Sequence, residues 1–312
     1  MPKNKNLNIS LKKTSKKPEH RKINPTLAKK ISKIVLIIVA ATALSLFSYW
    51  VARVFSDDIN LNPIAFQIAQ FKVHWYGICF IIGFIPSLIY VLYRGRDEGE
   101  SLDDTVNMVF IGAVFGMLGA RLAFVALNLS YYLKHPLETL NIWEGGLTLY
   151  GAVLLGFIAI LVYCKIRKLN TWKILDIFAP AMLLGQVFGR WGNFFNQELI
   201  GYPTRLFLKM YITPFNRPWE YRNDSFFHPV FLYESILSLV AFIILAVLAK
   251  KKKLKAGMIF ALYLMIYSVI RFGIEFVRIE PKIFLHLTLG QLISALIFII
   301  ATIVLLILKK KK

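Results

Sequence analysis

Four arginines lie inside or at the ends of strongly apolar stretches of the chain: Arg121, Arg190, Arg271 and Arg278. A charged side chain in the hydrocarbon region of a membrane is costly, so such residues tend to face a bundle interior and to be functional. The carboxylates expected near them are fewer, namely Glu198, Glu234 and Glu275. A surplus of guanidinium groups suits an anion that is bound through paired hydrogen bonds, and a phosphate is the obvious candidate.

These polar residues also share one predicted depth. Arg271, Glu275 and Arg278 follow an i, i+4, i+7 spacing, which places them on one face of a helix. Arg190 and Asn193 end another apolar stretch. Further polar residues stand near the starts of other stretches: Tyr76, Tyr150, Tyr233 and Glu234. We therefore expect these side chains to converge on the outer half of the bilayer, where a phosphate would belong to a phospholipid.

A purely structural interpretation stays open for each residue taken singly. Intramembrane salt bridges account for isolated charges, and Trp75, Tyr76 and Tyr233 alone would form an aromatic belt. Several glycines at small-residue spacing favour close helix packing in lipid: Gly112, Gly116, Gly119, Gly151 and Gly156. Gly145 and Gly146 differ, because they stand at a predicted helix start, where backbone amides can bind an anion.

Apolar runs of about 20 residues recur along the chain, and each is long enough for a helix to cross a bilayer. Hydrophobic residues make up 57% of the 312, more than a soluble domain could bury. Eight spans are predicted, at about 31–54, 73–94, 105–127, 145–164, 173–190, 229–249, 257–279 and 288–308. The predicted fold class is therefore an all-α polytopic membrane protein. The polar segment at about 191–228 predicts a small extracytoplasmic head or arm that could include short strands.

Lysines and arginines set the predicted orientation. The net charge of +21 would suggest nucleic acid in a soluble protein, but here the lysines lie in blocks beside apolar spans. With a cytoplasmic N-terminus, the inner segments carry 26 of the 38 basic residues, so both termini are predicted to be cytoplasmic. Residues 1–30 then form a disordered basic tail, 31–54 an uncleaved anchor and 309–312 a basic C-terminus.

The cysteines and histidines predict neither a disulfide framework nor a metal site. Cys79 and Cys164 both fall in or at the end of apolar spans, and the five histidines are scattered. No cofactor is expected.

The most specific pattern is the segment Gly189-Arg-Trp-Gly-Asn-Phe-Phe-Asn-Gln-Glu-Leu-Ile-Gly201. It resembles the G-R-x-G-N-F-x-N-x-E-x-x-G signature of prolipoprotein diacylglyceryl transferases. Other motifs similar to those of this family follow its order: His74-Trp-Tyr-Gly77, Trp143-Glu-Gly-Gly146 with Tyr150-Gly151, His228-Pro-Val-Phe-Leu-Tyr-Glu234, Arg271-Phe-Gly-Ile-Glu-Phe-Val-Arg278 and Gly290-Gln291. The resemblance covers about residues 62–308.

The resemblance implies a seven-helix enzyme of the bacterial plasma membrane with an extracytoplasmic head. Enzymes of this family move the diacylglyceryl group of phosphatidylglycerol onto the thiol of the lipobox cysteine in a prolipoprotein signal peptide. A thioether forms and glycerol phosphate is released, which is the first step of lipoprotein maturation. The implied partners are therefore this lipid and the prolipoprotein, with no nucleic acid, and a monomer is expected.

The resemblance also implies roles for the polar residues. Arg190 and Arg271 are expected to bind the lipid phosphate, with Arg278 and Arg121 in support. Asn193 and Glu198 would orient the head group or the arginines. The thiol proton would be handled by one of three residues: Tyr76, Tyr150 or Glu275. Structural or positioning roles are expected for the rest: Gly145, Gly146, Gly201, His228, Tyr233 and Glu234.

Two features depart from the family pattern. The span at 31–54 is additional, which makes eight helices and turns the N-terminus inside. Tyr150 stands where many members carry a histidine that has been proposed as the base, and an unperturbed phenol is a poor base at neutral pH. The identity of the base therefore stays open.

Two functions of other classes are also weighed. A transporter or flippase for an anionic solute or lipid would bind near the midplane between inverted repeats, whereas this sequence has no internal repeat and its charges lie off-centre. A membrane scaffold that binds anionic lipid without chemistry is not distinguished by spacing.

Overall fold

A computed structural model of the chain describes residues 42, 45–56, 61–69, 71–142, 145–251 and 253–310. Within these residues, seven helices have 17 or more residues: α1 (Trp75–Asp97), α2 (Leu102–Leu127), α3 (Leu149–Ile166), α4 (Thr171–Asn196), α5 (Val230–Lys250), α6 (Met258–Ile274) and α7 (Leu289–Lys310). Each lies within a few residues of a predicted span.

Some predictions fall outside the described residues. These are the tail at 1–30, most of the span at 31–54 and the motif residues Trp143 and Glu144. Residues 45–54 of that span are helical. The chain divides into two compact units, Met1–Arg53 and Val54–Lys312, and α1 to α7 all belong to the second.

In the part of the chain that the structure describes, short strands form three antiparallel pairs in the segments that flank the helices. They are β1 (Ile64–Ile68) with β2 (Phe71–His74), β3 (Met210–Tyr211) with β4 (Phe226–Phe227), and β5 (Lys282–Phe284) with β6 (Leu287–Thr288). Only the β3–β4 pair falls in the segment where short strands were expected. The prediction of a mostly helical protein is confirmed, with these hairpins as an addition to it.

Side-chain caps explain where several helices begin. The Ser101 hydroxyl accepts a hydrogen bond from the Asp104 amide at the start of α2, and the Asn170 side chain accepts one from the Lys173 amide at the start of α4. Short polar side chains at this position satisfy amides that have no partner within the helix. The caps fix the register of each helix and hence which residues face the bundle interior.

Glycines bring α2 and α3 into close contact. A Cβ atom on Gly119 would lie 2.3 Å from the Gly151 carbonyl oxygen, and one on Gly151 would lie 2.2 Å from the Gly119 carbonyl oxygen. A Cβ atom on Gly156 would similarly lie 3.0 Å from the Gly112 carbonyl oxygen. Close packing between small residues, one interpretation of these glycines, is therefore confirmed.

Five of the described helices are long and apolar enough to cross a membrane, as judged by length and composition: α1, α2, α3, α5 and α7. Helix α6 is apolar but has only 17 residues. Helix α4 is long but carries polar residues such as Lys173, Asp176 and Arg190, and it buries side chains such as Ile174, Leu183 and Phe194. Because protein surrounds much of α4, this helix needs less apolar surface than its neighbours.

Candidate functional site

Eight charged or amide side chains form one continuous polar network near the ends of α4 and α6 and the start of α5. Each member touches the next through an ion pair or a hydrogen bond. In order, the members are Glu280, Arg278, Glu275, Arg271, Glu234, Arg190, Asn193 and Glu198. All of them except Glu280 were predicted as site residues, so the structure brings seven of the predicted residues together.

Glu234 lies at the centre of the network and bridges two arginines. Its Oε2 forms an ion pair with Nε of Arg190 from α4, and its Oε1 accepts from Nη1 of Arg271 from α6 at 2.8 Å. Glu234 itself belongs to the first turn of α5 and is only 4% exposed. The two guanidinium groups from separate helices are therefore close enough to share one small anion.

Glu275 bridges a second pair of arginines. Its Oε1 accepts from Nη2 of Arg271 at 2.5 Å and from Nη1 of Arg278 at 3.2 Å. Arg278 continues the network through its Nη2, which lies 2.7 Å from Oε1 of Glu280. The Nε of Arg278 is buried and has no hydrogen-bond partner among the described residues, so one donor in this region is left for another group.

The other end of the network comes from the signature segment. Nη1 of Arg190 donates to Oδ1 of Asn193 at 3.4 Å, and Nδ2 of Asn193 donates to Oε1 of Glu198 at 2.7 Å. Asn193 is 4% exposed, and Glu198 follows the left-handed residue Gln197 that ends α4. The helix end thus turns Glu198 back toward the side chains of α4.

The expected surplus of arginine over carboxylate is wrong for this network. Its three arginines alternate with Glu280, Glu275 and Glu234, and Glu198 adds a further carboxylate. The sequence argument missed Glu280, because that residue lies beyond the predicted end of its span at 279. A buried charge needs a partner, and the chain supplies one for each of these arginines.

Gly201 and His228 join the segment after α4 to the ends of α5 and α6. The Gly201 amide donates to the His228 carbonyl at 3.2 Å, and Gly201 forms an isolated β-bridge with Arg278. A Cβ on Gly201 would lie 2.7 Å from the Cβ of His228 and 2.9 Å from the Val277 carbonyl oxygen. Only glycine fits this close approach.

His228 and Tyr233 contact each other at the start of α5. The Nδ1 of His228 lies 3.0 Å from the Tyr233 hydroxyl. Burial lowers the pKa of His228 below its ordinary value, because the charged imidazolium loses solvation. Burial therefore favours the neutral form of the ring, and the contacts with Gly201 come from the carbonyl and Cβ of His228.

Tyr76 lies against the helix that carries Arg190. A Cβ on Gly192 would be 2.5 Å from Cδ2 of the Tyr76 ring, so the missing side chain of Gly192 makes room for the ring. Trp75 stacks on Phe195 with ring centroids 4.7 Å apart. Helices α1 and α4 are thus locked together beside the polar network, and Tyr76 stays 43% exposed.

Arg121 has a different environment from the other three arginines. Its Nε donates to the Thr139 carbonyl at 2.8 Å, and its Nη1 donates to the carbonyls of Gly145 and Gly146 at 3.0 and 3.1 Å. Gly146 has a φ of 71°, and a Cβ there would lie 2.6 Å from Nη1 of Arg121. Among the described residues, Arg121 therefore organises the loop before α3 and does not join the polar network.

Tyr150 lies in the first turn of α3 and is 79% exposed. Of the three candidates for the thiol proton, it is the one with the most exposed side chain. Glu275 is the most buried, at 4%.

The sequence argument missed one more residue that contacts the network. The Thr288 hydroxyl donates to Oε2 of Glu275 at 2.7 Å, and the side chains and amides of Thr288 and Gln291 cap α7 reciprocally. Threonine followed three residues later by glutamine, just before an apolar run, is a recognised helix-start pattern. That signal was present in the sequence, although it does not reveal the contact with Glu275.

The family model described as prolipoprotein diacylglyceryl transferase matches residues 63–308 of the chain. A protein of Thermotoga maritima named phosphatidylglycerol–prolipoprotein diacylglyceryl transferase is 36% identical over 275 residues, which are 87% of this chain and 94% of the relative. Proteins of the same name from Limosilactobacillus reuteri and Staphylococcus aureus are each 38% identical, covering 80% and 77% of this chain and 92% and 87% of the relatives. Together with the apolar helices, these bacterial relatives indicate a multi-pass bacterial membrane protein.

Proposed function

The chain belongs to the prolipoprotein diacylglyceryl transferase family, and from that premise we propose that it transfers the diacylglyceryl group of phosphatidylglycerol to the lipobox cysteine of a prolipoprotein. The thiol sulfur bonds to the glycerol carbon that carried the phosphate. The bond between that carbon and the phosphate oxygen breaks, its electron pair stays on the oxygen, and the thiol proton is released. The products are a thioether-linked lipoprotein precursor and glycerol phosphate.

The proposed position of the lipid phosphate rests on one observation. Arg190 and Arg271 share the carboxylate of Glu234, and a phosphate has the same preference for paired guanidinium donors. We propose that the lipid phosphate binds between these two arginines and takes over donors that Glu234 holds in its absence. The network is then an anion-binding site in which the Glu234 carboxylate takes the place of the phosphate when no lipid is bound.

Arg278 supports the phosphate from the side of α6. Its Nε is buried without a partner among the described residues, and it lines a crevice together with Arg190, Asn193 and Glu234. Negative charge grows on the phosphate as the carbon–oxygen bond breaks, and fixed cations stabilise such charge by a few kcal/mol per interaction. Asn193 and Glu198 keep Arg190 oriented through their hydrogen bonds.

Arg121 and Tyr150 take part less directly in this proposal. Arg121 is held by the carbonyls of the loop before α3, so its support consists of shaping that loop through Gly145 and Gly146. Tyr150 is largely exposed, and Glu275 already accepts from Arg271, Arg278 and Thr288. We therefore propose Tyr76, whose ring packs against Gly192 of the signature segment, as the residue that handles the thiol proton.

The same proposal includes the membrane arrangement. Eight transmembrane helices follow from the seven described helices and the span at 31–54, with residues 191–228 as the extracytoplasmic arm. Both termini are cytoplasmic because the basic residues flank the inner helix ends. The compact unit at 54–312 holds the membrane domain at 62–308, and a single copy supplies every member of the polar network.

The decisive experiment is mass spectrometry of a lipobox peptide incubated with the purified chain and phosphatidylglycerol. We expect a diacylglyceryl adduct on the cysteine with the intact chain, and none above background with Arg190→Ala or Asn193→Ala. A cysteine-to-serine peptide is the matched control and should remain unmodified.

Failure of the intact chain to form the adduct would refute the transfer reaction. Full transfer by Arg190→Ala would instead refute the placement of the phosphate. A flippase would leave the peptide unmodified while moving labelled lipid between leaflets, so the same preparation in vesicles separates the two functions.

A further inference from the structure

The hydroxyl of Thr288 joins the start of α7 to the polar network. It donates to Oε2 of Glu275 at 2.7 Å and accepts from the Gln291 amide at 3.1 Å. A hydroxyl has one proton and two lone pairs, so both bonds form together and the single proton goes to the carboxylate. Thr288 and Glu275 are each 4% exposed, which leaves water little chance to replace the bond.

A reciprocal cap fixes the position of this hydroxyl. The Thr288 amide donates to Oε1 of Gln291 at 3.0 Å, while the Gln291 amide donates to the Thr288 hydroxyl. This is a capping box, with Thr288 directly before Leu289, the first residue of α7. Gln291 is 2% exposed, so the cap itself is buried.

Gly290 leaves space for the same carboxylate. A Cβ on Gly290 would lie 2.5 Å from Oε1 and 2.7 Å from Cδ of Glu275. Any larger residue would therefore push Glu275 out of its place. The start of α7 thus contacts both oxygens of Glu275, one through a hydrogen bond and one through close packing.

We propose that Thr288 is a positioning residue for diacylglyceryl transfer. Its O–H holds Oε2 of Glu275, so that Oε1 faces Arg271 and Arg278 and keeps their guanidinium groups aligned for the lipid phosphate. The proposal rests on the proposed function. Thr288 touches no substrate and acts through Glu275.

The test compares three variants of the full chain. T288V loses both hydrogen bonds of the hydroxyl, and T288S keeps both. Q291A loses only the side-chain acceptor of the Thr288 amide, and it leaves the hydroxyl bonded to the amide of residue 291 and to Glu275. We expect T288V to lower kcat/KM for phosphatidylglycerol about tenfold, as for one hydrogen bond to a charged group. T288S should restore the wild-type value, and the KM for the lipobox peptide should stay unchanged throughout.

Q291A separates positioning from simple capping. We expect it to lower the melting temperature in detergent about as much as T288V does, yet to keep kcat/KM for the lipid within about twofold of the wild type. An equal loss of transfer in Q291A and T288V would overturn the proposal, as would wild-type transfer by T288V.

G290A keeps the proposal testable if T288V does not fold. Its added methyl group meets Glu275 while the Thr288–Gln291 cap remains, so it should also impair transfer about tenfold, and unimpaired transfer would contradict the role given to this helix start. The wild-type chain is assayed first. A wild type without adduct refutes the proposed function, whereas an active wild type with unaffected T288V refutes only the role of Thr288.

Discussion

The two ends of the helix bundle hold their charges in different ways. At one end, the polar network runs through α4, α5 and α6, and each of its arginines shares a carboxylate with another member. At the opposite end, Arg94 near the end of α1 pairs with Asp97 and Glu98, three and four residues along the chain, and donates to the Ala249 carbonyl at 3.2 Å. In the first arrangement one carboxylate is shared by two arginines, whereas in the second one arginine is held by two carboxylates and a carbonyl.

Two aspartates at the opposite end join the termini of different helices. Asp104 accepts from Ser101 in its own helix start and from Arg167 just after α3. Asp176 accepts from the amides of Gly257 and Phe260 at 2.7 and 2.8 Å, and so caps α6. The Asp176 carboxylate thereby completes hydrogen bonds that a helix terminus leaves open. Shared acceptors can change partners when an anion arrives, whereas capping groups have a fixed structural task.

Among variants that compare the two ends, substitution of Arg271 should lower activity most. Arg271 touches both Glu234 and Glu275, so Arg271→Ala removes the donor that links the two halves of the network. We expect kcat for adduct formation to fall by at least about 100-fold, as for loss of a fixed group that stabilises transition-state charge. Arg167→Ala, at the exposed ion pair of the opposite end, should keep kcat within about threefold in the same peptide assay. Comparable losses in both variants would show that the two ends do not differ in function.

Two equally buried arginines, one at each end, separate a loss of stability from a loss of activity. The side chains of Arg278 and Arg94 are 8% and 7% exposed, so loss of either leaves buried partners uncompensated and should lower stability. Arg278→Ala should in addition reduce kcat/KM for the lipid about tenfold per folded molecule, whereas Arg94→Ala should not. Folded protein is quantified by size-exclusion chromatography before the assay, and a tenfold kinetic loss in Arg94→Ala would argue against the account.

Two tyrosines test which side of the site handles the proton. Tyr76→Phe should lower kcat about tenfold. Loss of a proton-transfer group typically costs at least about 100-fold, but the Tyr76 side chain is half-exposed, so we expect water to replace part of its function. Tyr150→Phe should change kcat by less than about threefold, because that side chain is 79% exposed. If kcat instead fell more in Tyr150→Phe than in Tyr76→Phe, Tyr150 would be the better candidate for the base.

The smallest expected effect concerns pH. Burial lowers the pKa of His228, so the unfolded chain binds a proton at this residue at higher pH than the folded chain does. Stability should therefore fall as the pH drops through the ordinary histidine pKa of about 6.5. The melting temperature in detergent between pH 7.5 and 5 should decline less for His228→Gln than for the wild type, and identical slopes would exclude a contribution from His228.

The sequence predicted the helices well because their apolar runs are long and their ends carry polar signals. The span at 73–94 became α1 at Trp75–Asp97, and the span at 229–249 became α5 at Val230–Lys250. The span at 257–279 was too long, since α6 ends at Ile274 and the chain then turns to pair Arg278 with Gly201. Composition cannot reveal that turn, because Phe276, Val277 and Ile279 are apolar whether helical or not.

The members of the site were largely predictable, but their pairing was not. Spacing placed Arg271, Glu275 and Arg278 on one face, and the structure joins them. The balance of charge was misjudged because Glu280 lies outside the apolar run, and Arg121 was grouped with the other arginines on depth alone. Depth along a helix does not determine which neighbour a side chain meets, and Arg121 meets loop carbonyls.

We propose that one phosphate binds between Arg190 and Arg271 in the place that Glu234 occupies without lipid. Cryo-electron microscopy of the chain in nanodiscs containing phosphatidylglycerol can test this placement, with phosphatidylcholine nanodiscs as the control. We expect a phosphate within hydrogen-bond distance of both guanidinium groups, with Glu234 displaced from at least one of them. A head group held at Arg121 or among the charges of the opposite end, with the ion pairs of Glu234 intact, would contradict it.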